Sequence, residues 1–139
     1  MIHFGDRSHF EFAGEKRFDY EKIVAFCCDM GLAFFDTARK VRRLKGNADD
    51  NFLEIVEGTD VFALLEQMPE CRTIVTTGGK ASEELQEYLA TRGFKVRIPN
   101  VGESVEIDAS LRWWRMPSSS RAYPMKLEKK AEYYRRLFE

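Results

Sequence analysis

Histidine and cysteine are scarce in this chain, at two and three of 139 residues. His3 and His9 have no acidic or cysteine partner at ligand spacing, so no metal site is expected, and no pattern implies a cofactor. Cys27 and Cys28 are adjacent and Cys71 is far from both, which gives neither a zinc spacing nor a disulfide framework. A reduced, cytoplasmic setting is therefore expected. No apolar run is long enough to span a bilayer, so no membrane partner is expected. The first fifteen residues lack the charged-then-apolar order of a signal peptide. Internal repeats and low-complexity segments are missing too. No serine stands in a nucleophile-elbow sequence, which argues against a hydrolase of the Ser-His-Asp kind.

What is present is the composition of an ordinary globular domain, 44% hydrophobic and 32% charged. A chain of this length is the size of one domain, read as spanning 1–139, and it buries a core without disulfide or metal staples. The net charge of −1 is unevenly spread. From Ser110 to Glu139, eight Lys and Arg face three Glu, a net +5 that leaves −6 for the rest. A second basic knot runs from Arg39 through Lys45. Local positive surface on an acidic body suits phosphate binding, although on charge alone two solvated faces are the better account.

Helical and strand periods alternate along the chain. Asp19 is placed to cap a helix running to Met30, with Tyr20, Ile23, Val24, Cys27 and Met30 at helical spacing and Gly31 at its end. Leu32-Ala33-Phe34-Phe35 reads as a short buried strand ending at Asp36. Gly46 to Asn51 reads as a loop, with a helical turn through Phe52 to Val56. Thr59 is expected to cap the next helix, closed by Pro69. Arg72 to Thr77 is β-branched and reads as a strand. Gly78-Gly79 turns into a helix carrying Ala81, Leu85, Tyr88 and Leu89, which Gly93 terminates. Phe94 to Ile98 alternates like a strand, with Val105 to Ile107 as its antiparallel return. Leu111 to Met116 is a further strand, stopped by Pro117. Pro124 suits the first turn of a closing helix. This alternation predicts an α/β fold, a mainly parallel sheet covered by helices on both faces.

In such sheets ligands bind at the carboxyl ends of strands. Three ends carry chemistry: Asp36-Thr37, Thr76-Thr77-Gly78-Gly79-Lys80, and Met116-Pro117-Ser118-Ser119-Ser120-Arg121. They are expected to lie along one edge. The serine loop offers small hydroxyls and unpaired N–H groups before a helix, which is good chemistry for a phosphate, although local chemistry alone slightly favours a capped serine-rich turn. Thr77-Gly78-Gly79-Lys80 is not a nucleotide phosphate loop, because the first glycine is missing and Ala81 stands where Ser or Thr is needed. Trp113 and Trp114 are adjacent and are expected on opposite faces of their strand, as packing residues.

At Met116 to Arg121 the chain resembles the second motif of the uracil-DNA glycosylase superfamily, a Pro-Ser-x-Ser-like loop after the last strand. Gly31 to Thr37 is similar to the superfamily's second strand, which ends in an aspartate. Gly46 to Phe52 is similar to the small-polar loop of its mismatch-specific and hypoxanthine-type branch, and Ile74 to Ala81 to its third strand and turn. The resemblance covers nearly the whole chain. It implies a three-layer α/β/α domain with a cleft for a flipped base, cleavage of the N-glycosidic bond by water, and no metal or cofactor. It further implies that Ser118 and Ser120, with Ser119 beside them, grip DNA phosphates and that Arg121 probes the space left by the base. Asp36, Thr76, Thr77 and Gly78 would form the cleft floor. Thr77 falls where other members carry asparagine, which leaves the base preference open.

The superfamily begins with a strand and loop carrying its water-activating residue. By the resemblance Met1 to Asp6 matches the tail of the helix after that loop, so the catalytic group is expected upstream of Met1. A sheet short of that strand would expose an edge, and a homodimer through it or a rearranged sheet is the expected consequence. Three readings stand side by side: a DNA-repair glycosylase acting on uracil, mismatched thymine or hypoxanthine, a non-catalytic nucleic-acid-binding module, and a dimeric structural domain.

Overall fold

The computed structural model describes residues 8–43 and 53–139. The chain resolves into two compact units, Met1–Phe35 with Lys126–Glu139, and Asp36–Met125. The expected loop from Gly46 to Asn51, the start of the expected helical turn at Phe52, and the Met1 to Asp6 segment lie outside the described residues.

In the first unit, helix α1 spans Tyr20–Met30 with Asp19 as its N-cap and Gly31 as its C-cap. The Asp19 carboxylate accepts the Lys22 N–H at 3.3 Å. Gly31 closes the helix at φ 65°, a left-handed conformation that glycine adopts without a Cβ penalty. Both ends fall where the sequence places them. Helix α4 spans Leu127–Arg135 and continues as a 3-10 turn over Arg136–Phe138. Its N-cap is Lys126, so Pro124 stands ahead of the helix and not in its first turn.

Leu32 to Phe35 is not a strand. It has no ladder, and Phe34 and Phe35 are 78% and 60% exposed. Four apolar residues make a strand only where a second strand supplies hydrogen-bond partners, and none pairs with them among the described residues.

The second unit opens with a hairpin whose strands carry opposite charge. Strand β1, Ala38–Arg43, takes up most of the basic knot and pairs antiparallel with β2, Leu53–Gly58. Arg39 meets Glu57 at 3.4 Å and Arg42 meets Glu54 at 3.3 Å. Opposite charges across a ladder stabilise the pairing. The expected helical turn into Val56 is therefore a strand: the β-branched pair Ile55-Val56 favours it, and Val41 pairs with Ile55 across the ladder.

Helix α2, Val61–Glu66, is capped one residue later than expected. The Asp60 carboxylate accepts the Ala63 N–H at 3.2 Å, while the Thr59 hydroxyl donates to the Asp36 carbonyl at 2.6 Å. Tyr88 ties α2 to α3, which spans Gly79–Thr91. Its hydroxyl donates to Asp60 at 2.6 Å and accepts the Phe62 N–H at 2.9 Å. The Tyr88 hydrogen bond is the main cause that holds the Asp60 carboxyl below its ordinary value, with the Ala63 N–H and the Arg92 charge adding to it. Burial, and then the Asp60 bond, push the Tyr88 phenol up.

Strands β3, Thr73–Thr77, β4, Ser104–Asp108, and β5, Leu111–Met116, form a sheet in the order β3-β5-β4. β3 runs parallel to β5, and β4 runs antiparallel to it. The α/β class is as expected, but this sheet is mixed instead of mainly parallel. The two-residue turn Ala109-Ser110 decides this, since a parallel return needs a crossover of a dozen residues or so. Asp108 fixes that turn by accepting the Ser110 N–H at 2.7 Å.

Phe94 to Ile98 alternates in burial as expected, yet joins no ladder. Its partner in the sequence reading, β4, is taken by β5. Phe94, Val96 and Ile98 pack instead on the core, which consists of Leu85, Leu89, Ile107, Leu111 and Trp113. Among the described residues no helix is long and apolar enough to cross a membrane.

Candidate nucleic-acid interface

The parallel pairing of β3 and β5 ends both strands at the same level. Thr77 stands opposite Met116, and the Gly78 N–H donates to the Met116 carbonyl at 3.1 Å. The Gly78-Gly79 turn and the Pro117 to Arg121 loop thus leave the sheet side by side. Gly78 has φ 95°, and a Cβ built there would stand 3.3 Å from the Ser118 Cβ. Only glycine satisfies both conditions, an open left-handed backbone and a close neighbour.

A chain of buried hydrogen bonds fixes this turn. The Trp113 indole N–H donates to the Thr76 hydroxyl at 2.9 Å. Thr76 and Ser82 hydroxyls lie 2.9 Å apart, and Ser82 donates to the Gly78 carbonyl at 2.8 Å. The direction is determined: an indole only donates and a carbonyl only accepts, so Thr76 donates to Ser82. Trp113 and Ser82 have no exposed surface and Thr76 has 7%. Every polar atom along the relay has a partner, which is what a buried network needs to be rigid.

The serine loop is shaped by its own hydroxyls. Ser118 Oγ accepts the Ser120 N–H and Ser120 Oγ accepts the Ala122 N–H, both at 3.2 Å. Each bond uses an oxygen lone pair, so neither consumes a hydroxyl proton. Pro117 is fully buried, Ser118 is half-buried, and Ser119, Ser120 and Arg121 are exposed.

The residues expected to share one edge are therefore gathered in part. Thr77, Gly78 and Ser118 come together at the β3–β5 tips, with Ser119, Ser120 and Arg121 following on the same loop. Thr76 lies one residue deeper, its hydroxyl committed to the relay. Asp36 does not end a strand. It precedes β1, and its carbonyl is held by Thr59 at the base of the hairpin. The described part of the basic knot, Arg39 to Arg43, is likewise in a ladder strand, with Arg39 and Arg42 matched to glutamates.

Two contributors escaped the sequence reading. Ser82 stands on the fourth residue after Gly78, one helical turn on, a spacing that returns a side chain to the start of its helix. Arg115 alternates with Leu111 and Trp113 on β5, so a charge falls on the face that carries the core. The periods place both residues but not their partners, which are tertiary contacts.

No protein-family model matches the chain, and no curated protein and no solved structure matches it. The candidate groups form no metal-binding cluster among the described residues.

Proposed function

We propose that this chain is a DNA-repair glycosylase of the uracil-DNA glycosylase kind, holding DNA by its phosphates at the β3–β5 tips while a damaged or mismatched base is turned out. A three-layer α/β/α arrangement belongs to the same proposal. The observation that carries it is the close approach of the Gly78 turn to Ser118, which lies 3.3 Å from where a Gly78 Cβ would stand. A phosphate-binding serine loop is useful only where backbone and hydroxyl groups from two strands converge, and the carboxyl edge of a parallel pair is where such sites occur.

In this reading Ser118 and Ser120 donate to phosphate oxygens, Arg121 reaches toward the duplex, and the exposed Thr77 and half-buried Gly78 face the extruded nucleotide. Extrusion is required because the glycosidic carbon is inaccessible inside the stack. These residues hold DNA, and none of them is assigned to activating water.

The test is equilibrium binding to two duplexes, one undamaged and one carrying a stable abasic-site analogue. Preference for the abasic duplex, abolished by the double substitution S118A/S120A, is the expected result. Equal binding to both duplexes, unchanged in the double variant, contradicts the proposal.

A further inference from the structure

Arg115 lies at the same edge as the serine loop. Its backbone N–H donates to the Glu103 carbonyl at 3.1 Å and its carbonyl accepts the Gly102 N–H at 2.7 Å, so its place on β5 is fixed. The side chain is half-buried, and its Nε is sealed from solvent with no hydrogen-bond partner. Nη1 has a long contact of 3.4 Å with the Pro99 carbonyl. Nη2 lies 3.9 Å from the point where a Gly79 Cβ would stand.

No carboxylate compensates this guanidinium among the described residues. Glu103, bonded to it through the backbone, gives its carboxylate to Asn100 at 3.0 Å. Glu84, on the first turns of α3, is paired with Lys80 at 3.1 Å. Arginine stays charged at any ordinary pH, so it cannot escape the cost of partial desolvation by losing its proton. Completion by an outside anion answers that cost, and the guanidinium fork matches phosphate oxygens in two places at once.

We propose that Arg115 is a phosphate-binding residue of the β3–β5 edge, its guanidinium opposing Ser118 across the Gly78-Gly79 turn. Gly78 faces the serine and Gly79 faces the arginine, so one glycine pair separates the hydroxyl from the charge. A Cβ at Gly78 would crowd Ser118 at 3.3 Å, while one at Gly79 would reach ordinary contact with the guanidinium. The assignment of DNA phosphate as the anion rests on the glycosylase reading; the anion site itself rests on Arg115.

Two measurements on the full chain separate these claims. In the first, wild type, R115Q and R115K are titrated with the abasic-analogue duplex over a range of salt. R115Q is expected to bind about tenfold more weakly or worse, and its log-log salt slope to fall by about 0.9, one phosphate contact. R115K keeps the charge and should keep the slope while losing affinity. An R115Q titration matching wild type in both affinity and slope overturns the assignment of DNA phosphate as the anion. In the second, thermal unfolding is followed with added inorganic pyrophosphate. A rise in midpoint for wild type that R115Q loses supports the anion site even where no DNA is bound, and then only the DNA reading fails. No rise in wild type, or equal rises in wild type and both variants, overturns the anion site. R115K, which keeps the stem and the charge, serves as the comparison where R115Q does not fold.

Discussion

The indole of Trp113 and the hydroxyl of Thr76 meet inside the three-stranded sheet, Nε1 donating to Oγ1 across 2.9 Å. The bond joins two parallel strands and passes through Ser82 to the carbonyl of Gly78. It converts the ends of β3 and β5 into a fixed frame, and the candidate interface is built on that frame.

Replacing Thr76 by Val keeps the shape but removes the hydroxyl. The Trp113 N–H is then buried without an acceptor and Ser82 loses its donor. Unfolding in urea is expected to show a loss of about 1–3 kcal/mol for Thr76→Val. Thr76→Ser, which keeps the hydroxyl, should recover most of it.

Gly78→Ala places a Cβ where φ is 95° and Ser118 is 3.3 Å away. A strained left-handed residue costs on the order of 1–3 kcal/mol, and the contact with Ser118 adds to it. Both stability and duplex affinity should fall. Gly31→Ala shares the left-handed strain but has nothing within 4 Å, so it should lower stability and leave affinity alone.

The order of secondary structure was largely legible, and the reasons differ by element. α1 was readable at both ends because Asp19 and Gly31 are strong local signals. β3, α3 and β5 were readable because β-branched runs, helical spacing and a stopping proline agree with one another. The hairpin was hidden because its ladder is written in charge. Arg39 and Arg42 read as a basic knot until Glu57 and Glu54 are seen across from them. Leu32 to Phe35 misled for the opposite reason, since apolarity without a pairing partner makes no strand. At the candidate site, the loop residues Ser118 to Arg121 were visible as a cluster. Asp36 was misplaced because its strand begins after it, and Ser82 was hidden because the relay is a tertiary contact between β3, β5 and α3.

Ionisation of Tyr88 and Tyr134 should come late in an alkaline titration followed by tyrosinate absorbance. Burial pushes the Tyr134 phenol up to about 12, and burial with the Asp60 bond raises Tyr88 above 10. For a group raised in the fold, the stabilisation is complete below the unfolded value and is lost as pH rises through the folded one. Stability should therefore decline above pH ~10, less steeply in Tyr88→Phe than in wild type. Asp60 has the opposite sign. Its folded value is depressed, so its contribution is present above 3.8 and is lost as pH falls below it. Asp60→Asn should flatten that acid limb.

The basic strand should contribute little to DNA binding. Arg39 and Arg42 are exposed and already face glutamates. R39Q/R42Q should change stability by less than about 1 kcal/mol and leave the salt slope of duplex binding close to wild type. A slope reduced by two phosphate contacts would move the interface to the hairpin.

The most direct measurement of the central claim is phosphate-ethylation interference on a duplex carrying a central abasic-site analogue. Interference at the phosphates flanking the analogue, lost in S118A/S120A, is the expected result. Interference spread evenly along the duplex, or a flanking pattern that S118A/S120A leaves intact, contradicts it.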